Sequence, residues 1–120
     1  MYISAYIIGV PEDRKDDYLR IATLFAEVAK DYGAVDICEN WEAYIEDGEV
    51  TDFRKAVKAE PGEKIVMSWV AWPDQEAAVK AHEGMYNDPR MADLGDMPFD
   101  GSRMVIGNFE TLLSYRKDKD

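Results

Sequence analysis

The chain has 120 residues, the size of one domain, and 47% of them are apolar, enough to fill a core and to exclude a disordered chain. Its 25 acidic and 14 basic residues leave a net charge of −11, which argues against nucleic acid and against an anionic membrane surface as partners, because both need a basic patch. No run of residues approaches the ~20 apolar positions of a membrane-spanning helix.

Residues 2–10 are rich in Tyr, Ile and Val and predict a strand, which Pro11 ends. No basic residue precedes this apolar stretch, so it lacks the pattern of a secretory signal, and a cytoplasmic location is expected. Residues 12–32 predict a helix, because Tyr18, Ile21, Ala22, Phe25, Val28, Ala29 and Tyr32 recur at helical spacing. Glu12 and Asp13 suit its first turn, and Gly33 suits its end.

Residues 35–44 predict a second strand, with Val35, Ile37 and Trp41 among polar neighbours. Cys38 in this strand is the only cysteine; it allows no intrachain disulfide and suits a reducing compartment. The acidic neighbours Asp36 and Glu39 disfavour a thiolate, so Cys38 is expected to be a buried small hydrophobe. Glu46-Asp47-Gly48-Glu49 is a turn, and 50–60 fits either a short strand or an ordered loop anchored by Phe53 and Val57.

Residues 63–72 give the clearest strand, bounded by Pro61-Gly62 and Pro73. Asp74 then caps a second helix that runs to about Tyr86, where Asn87-Asp88-Pro89 stops it. A long connection over 90–102 leads to a last strand at 103–110. The single domain is taken as 1–112, followed by a charged tail over 113–120 that is expected to fray from Tyr115 onward.

The order β-α-β-β-α-β predicts the ferredoxin-like α+β fold, a four-stranded antiparallel sheet with two helices on one face. A sheet with one wet face alternates apolar and polar residues. These strands do not alternate: Ile3, Ala5 and Ile7 oppose Tyr2, Ser4, Tyr6 and Ile8, and Ile65, Met67 and Trp69 oppose Val66, Ser68 and Val70. Two helices cover one side only, so the other is expected to pack on a second copy about a two-fold axis, forming a dimeric α+β barrel. The alternative is that residues 46–62 fold back over the open face.

The segments Val50-Thr51-Asp52-Phe53-Arg54-Lys55-Ala56-Val57, Val66-Met67-Ser68-Trp69, Trp72-Pro73, Asp88-Pro89-Arg90-Met91, Met97-Pro98-Phe99-Asp100-Gly101 and Arg103-Met104 resemble the YbaA-like family of small bacterial proteins, over Met1 to about Glu110. The resemblance implies the dimeric α+β barrel superfamily and no particular activity, because the family is one of unknown function. The chain departs from the expected pattern at Asn108, where a glycine would stand; its side chain would intrude on the space that strand faces.

Several residues carry candidate chemistry. Tyr2, Tyr6, Trp41 and Trp69 suit a pocket for a flat organic molecule, or equally a core and an interface. The expected lining of such a pocket is Tyr6, Trp69 and Asn108, with Arg103 reaching in. Thr51, Asp52, Arg54, Arg90, Asp100 and Arg103 either pin loops or bind an anionic group. His82, the only histidine, is expected at the solvent edge of its helix, and no zinc site is expected around it.

Glu39, Glu42, Glu46, Asp47 and Glu49 lack the spacing of a calcium loop and read as a solvated acidic edge. No glycine-rich nucleotide loop and no nucleophile elbow are present, and no cofactor is expected. The reading is therefore a homodimer of unknown function with room for a small molecule. The alternative is a cofactor-independent monooxygenase or isomerase acting on an aromatic or quinone-like compound.

Overall fold

Tyr2–Pro11 forms the strand β1, which pairs along its length with β3, Glu63–Trp72. These two long strands are the middle of the sheet; the computed structural model, which describes residues 1–117, flanks them with two shorter strands. The strand β2, Asp36–Trp41, pairs with β3, and β4, Val105–Glu110, pairs with β1, all antiparallel. The order β2-β3-β1-β4 is the ferredoxin-like arrangement expected from the element order.

Between the strands lie α1, Lys15–Asp31, the single turn α2, Phe53–Ala56, and α3, Gln75–Tyr86. The first helix begins later than its periodicity predicts, because Glu12–Arg14 after Pro11 is a 3₁₀ turn. Gly33, at φ +105°, ends it in the left-handed region that only glycine enters freely. The ambiguous segment 50–60 holds α2, which the Asp52 carboxylate caps by accepting from Lys55 N–H at 2.7 Å. Asp74 caps α3 in the same way, on Ala77 N–H at 2.8 Å. The 90–102 connection contains 3₁₀ turns at Pro89–Leu94 and Gly101–Arg103, capped by Asp88 and Asp100.

The helices α1 and α3 lie against one face of the sheet. Their Val28, Ala29, Ala78, Ala81 and Met85 pack with Val70 and Trp72 of β3 in the main core cluster. A second cluster joins Tyr18 and Ala22 of α1 to Ile8, Val10 and Val66. Because Ile37 pairs with Val70 and Trp41 with Val66, the odd-numbered residues of β2 share this face with the even-numbered residues of β1 and β3.

The other face is covered only at its ends. At one end, part of the 46–62 segment packs over it, without covering the face as the alternative expectation requires: Val57 and Ile65 are buried, and a side chain on Gly9 would meet the Glu63 carboxylate at 2.8 Å and Val57 at 3.7 Å. At the other end, Thr111 N–H donates to Met1 at 2.9 Å and Arg116 reaches Asp36 at 2.9 Å, so the first residues of the tail are tied down. The rest of the tail, 118–120, lies outside the described residues. The middle of this face stays open: Met67, Val105 and Phe109 are 39%, 39% and 57% exposed.

Candidate functional site

The sheet register sets a polar row across the middle of the helix-facing side. Tyr6 of β1 lies opposite Ser68 of β3, which lies opposite Glu39 of β2. Ser4, one alternate position from Tyr6, and Ser68 are both buried. A packed sheet–helix interface ordinarily takes apolar residues at such positions, because a buried polar group needs a partner. Here partners exist. Tyr18, one turn into α1, donates its hydroxyl to Glu39 Oε1 at 2.6 Å. Ser4 donates to Asn108 Oδ1 at 2.8 Å.

Beside this row lies a cavity of about 160 Å³, walled by Tyr6, Ile8, Tyr18, Phe25, Glu39 and Ser68. The 90–102 connection lines its outer side with Leu94, Met97 and Phe99 and leaves it partly open, and the Phe99 ring meets Tyr18 edge-on with centroids 6.1 Å apart. An apolar cavity of ~150 Å³ takes a molecule the size of benzene. Glu39 stands between this cavity and an open groove of about 480 Å³ on its other side, which α1 and the edge of β2 line with Leu19, Ala26, Lys30 and Val35.

The electrostatics follow from burial. Loss of water pushes the Glu39 carboxyl above the usual carboxylate range, and the Tyr18 hydrogen bond opposes that only in part. Burial raises the Tyr18 phenol well above its ordinary value, with the hydrogen bond to Glu39 and its charge adding to the effect. Burial also raises Tyr6, while a hydrogen bond to Ser4 opposes it and the Glu39 charge adds to it. Both phenols therefore keep their protons, and Glu39 is the carboxyl of this cluster, held above its ordinary range.

The residues expected to line one pocket are divided between places. Tyr6 and Asn108 stand on the helix-facing side, Tyr6 in the cavity wall and Asn108 on the edge strand beside Ser4. Asn108 thus intrudes on no space behind the sheet. Trp69, next along β3 from Ser68, points the opposite way and donates its indole N–H to Asp36 at 3.0 Å. The stacking of one ligand by Tyr6 and Trp69 together is therefore ruled out, because strand neighbours alternate faces.

Arg103 does not reach the cavity. It grips the Glu63 carboxylate at 2.9 and 2.7 Å, and it also donates to the carbonyls of Val57 and Lys58 and to Asp100. That grip holds Glu63 below the usual carboxylate range. Arg54, hydrogen-bonded to the Glu63 carbonyl and to Glu42, and Arg90, bonded to Asp88 and Asp31, pin other loops. The loop-pinning alternative thus accounts for these arginines.

His82 lies exposed on α3, its ring edge-on to Trp72 with centroids 5.6 Å apart. Cys38 is half-buried on the open face rather than in the core, because its position in β2 shares that face with Asp36 and Asn40. The acidic edge is only partly solvated. Glu42 is half-buried with its side chain turned inward, accepting from Ile65 N–H at 2.9 Å and pairing with Arg54, while Glu46, Asp47 and Glu49 are exposed. Among the described residues no three His, Cys, Asp or Glu side chains gather as a metal site, and no helix is long and apolar enough to cross a membrane.

Glu39, which the sequence reading placed on the solvated acidic edge, instead stands in the pocket wall against Tyr18. Its signal was the spacing: Ile37, Glu39 and Trp41 alternate in one strand, so the glutamate shares the face of its two apolar neighbours.

The model of the family described as "Protein of unknown function (DUF1428)" matches residues 1–101. The chain is 44% identical over 113 residues to "Uncharacterized protein YbaA" of Escherichia coli strain K12, covering 93% of this chain and 97% of that protein. The protein of the same name in Shigella flexneri matches to the same extent. In fold, the chain is similar to the crystal structure of an uncharacterized NIPSNAP domain protein from Burkholderia xenovorans, with a TM-score of 0.57 at 11% identity, covering 98% of this chain and all of that one.

Proposed function

This chain belongs to the DUF1428 family, and from that premise we propose that it is a homodimeric protein that binds a small, single-ring molecule between α1 and the sheet. The observation that carries this reading is the Tyr18–Glu39 pair in the wall of an otherwise apolar cavity of about 160 Å³. Small-molecule sites combine an apolar lining with a few convergent polar groups and a perturbed titratable one. Glu39 offers acceptor oxygens and Tyr18 and Tyr6 offer hydroxyls, so the favoured ligand is a ring bearing a polar group, such as a phenol, an arylamine or a cyclic ketone.

Saturation-transfer NMR with phenol and aniline, set against benzene, tests this. Saturable binding of a donor-bearing ring, weakened tenfold or more by the cavity-filling Ala22→Trp, is the expected result. Binding that Ala22→Trp leaves unchanged would overturn the reading.

The homodimer rests on a different observation. Met67, Val105 and Phe109 leave an apolar strip on the open face between its two covered ends. A second copy of the same strip is its natural cover, because a two-fold axis matches a patch with itself. Native mass spectrometry reads the subunit count directly: twice 13.7 kDa supports the dimer and a stable monomer at micromolar concentration rejects it. The lone cysteine favours a reducing compartment, and a cytoplasmic location is part of this proposal.

A further inference from the structure

We propose that Glu39 is a catalytic general base that moves a proton between two carbons of a small enolisable ketone; the proposal rests on the binding pocket described above. Three features support it. Glu39 sits midway along the edge strand β2, in the wall of a cavity with room for one six-membered ring. Its Oε1 is held by Tyr18 at 2.6 Å, and among the described residues no hydrogen-bond donor reaches its Oε2. The carboxylate is thus fixed by one oxygen and available through the other, in surroundings that weaken its hydration and strengthen it as a base. The neighbouring phenols keep their protons, so Tyr18 and Tyr6 serve as donors to a developing negative oxygen.

The step is balanced within this site. Glu39 Oε2 takes the proton from the carbon next to the carbonyl. The C–H electron pair forms a carbon–carbon double bond to the carbonyl carbon, and the carbonyl π pair moves onto oxygen as an enolate. Tyr18, released from Glu39 as the carboxyl gains its proton, turns its O–H to that oxygen. For a β,γ-unsaturated ketone the enolate extends over the alkene. Return of the same proton to the γ-carbon restores the ketone as its conjugated isomer and Glu39 as carboxylate. Nothing is oxidised or reduced, and no second reactant is consumed.

The test uses the full chain and a β,γ-unsaturated cyclohexenone, with conversion followed by the ultraviolet absorbance of the conjugated product and ring binding followed separately by NMR. The intact protein is expected to accelerate conversion over buffer. Glu39→Gln, which preserves shape, is expected to lower kcat by about 100-fold or more with ring binding retained. Tyr18→Phe is expected to lower kcat by about tenfold with KM little changed.

A second readout needs no variant: substrate deuterated at the α-carbon delivers part of its label to the γ-carbon, as transfer by a single carboxyl requires. Ring binding without acceleration, a kcat indifferent to Glu39→Gln, or complete loss of label to solvent would each overturn the base while leaving the pocket intact. Absence of ring binding would overturn the pocket itself, and the base with it.

Discussion

On the helix-facing side of the sheet the middle row holds Tyr6, Ser68 and Glu39; behind it, facing away, stand Ile7, Met67, Trp69 and Cys38. In this middle row the covered side carries the polar groups, and the side left open carries mostly apolar ones. Neither arrangement serves the stability of a lone chain, because burying a carboxyl costs free energy and exposing a Met and a Phe gains none. The contrast underlies the two roles proposed above: ligand chemistry inside each subunit, association between subunits outside it.

The largest expected effect separates core from interface. Trp72, fully buried under α3, anchors the helix-facing side. Trp72→Ala should cost about 3–5 kcal/mol in urea unfolding, independent of protein concentration. Phe109→Ala on the open side should lower the melting temperature only at concentrations where the dimer forms. A concentration-independent loss for Phe109→Ala would erase the distinction between the faces. Next in size, Met67→Glu places an unpaired charge in the proposed interface and should weaken dimerisation by roughly 100-fold or more, read by native mass spectrometry. Asp74→Ala, at a cap belonging to neither face, should cost about 1 kcal/mol in the same urea assay and leave the subunit count unchanged.

The smallest effect contrasts two strand glutamates. Glu39 has its folded value raised by burial, so the folded state holds extra protons between the ordinary glutamate range and that raised value. Stability from this group therefore falls as pH rises through that window. Glu63, gripped by Arg103, has its value lowered, and its contribution is present above the ordinary range and lost as pH falls through the lowered value. Thermal melts across the carboxylate range should show Glu39→Gln gaining on the parent chain as pH rises, and Glu63→Gln flattening the acid limb. Parallel profiles for the two variants would contradict the assignment.

Sequence reasoning reached the strands and helices because their signals are local. The clearest strand, Glu63–Trp72, has the bounds that its flanking Pro-Gly and Pro imply. The strand β2 stops at Trp41 rather than Tyr44, because Glu42 turns back to Arg54 and to Ile65 N–H, a partnership set by residues far along the chain. Assigning the faces was harder. Tyr6 and Trp69 are equally at home inside or outside, and only the register of β1 on β3 shows that they point apart. Glu39 was lost among its acidic neighbours, although its period with Ile37 and Trp41 was available. The arginine pins were legible as residue types but not as pairs, since Glu63 and Arg103 lie 40 residues apart.

That separation bears on how the chain is made. Arg103 grips a carboxylate translated 40 residues earlier and a carbonyl translated 46 residues earlier, an interval of roughly 2–9 s at 5–20 residues per second. Throughout it, β1 lacks the neighbour that β4 will supply, and the linker over Gly9 is held by Arg54 and by the Glu12 N–H, which donates to Gly62, without Arg103. The loop that lines the outer side of the cavity emerges in the same late stretch. A nascent chain therefore passes through a stage with its first strand half-paired and the linker over Gly9 unpinned by Arg103, and the arrival of Arg103 and β4 completes both.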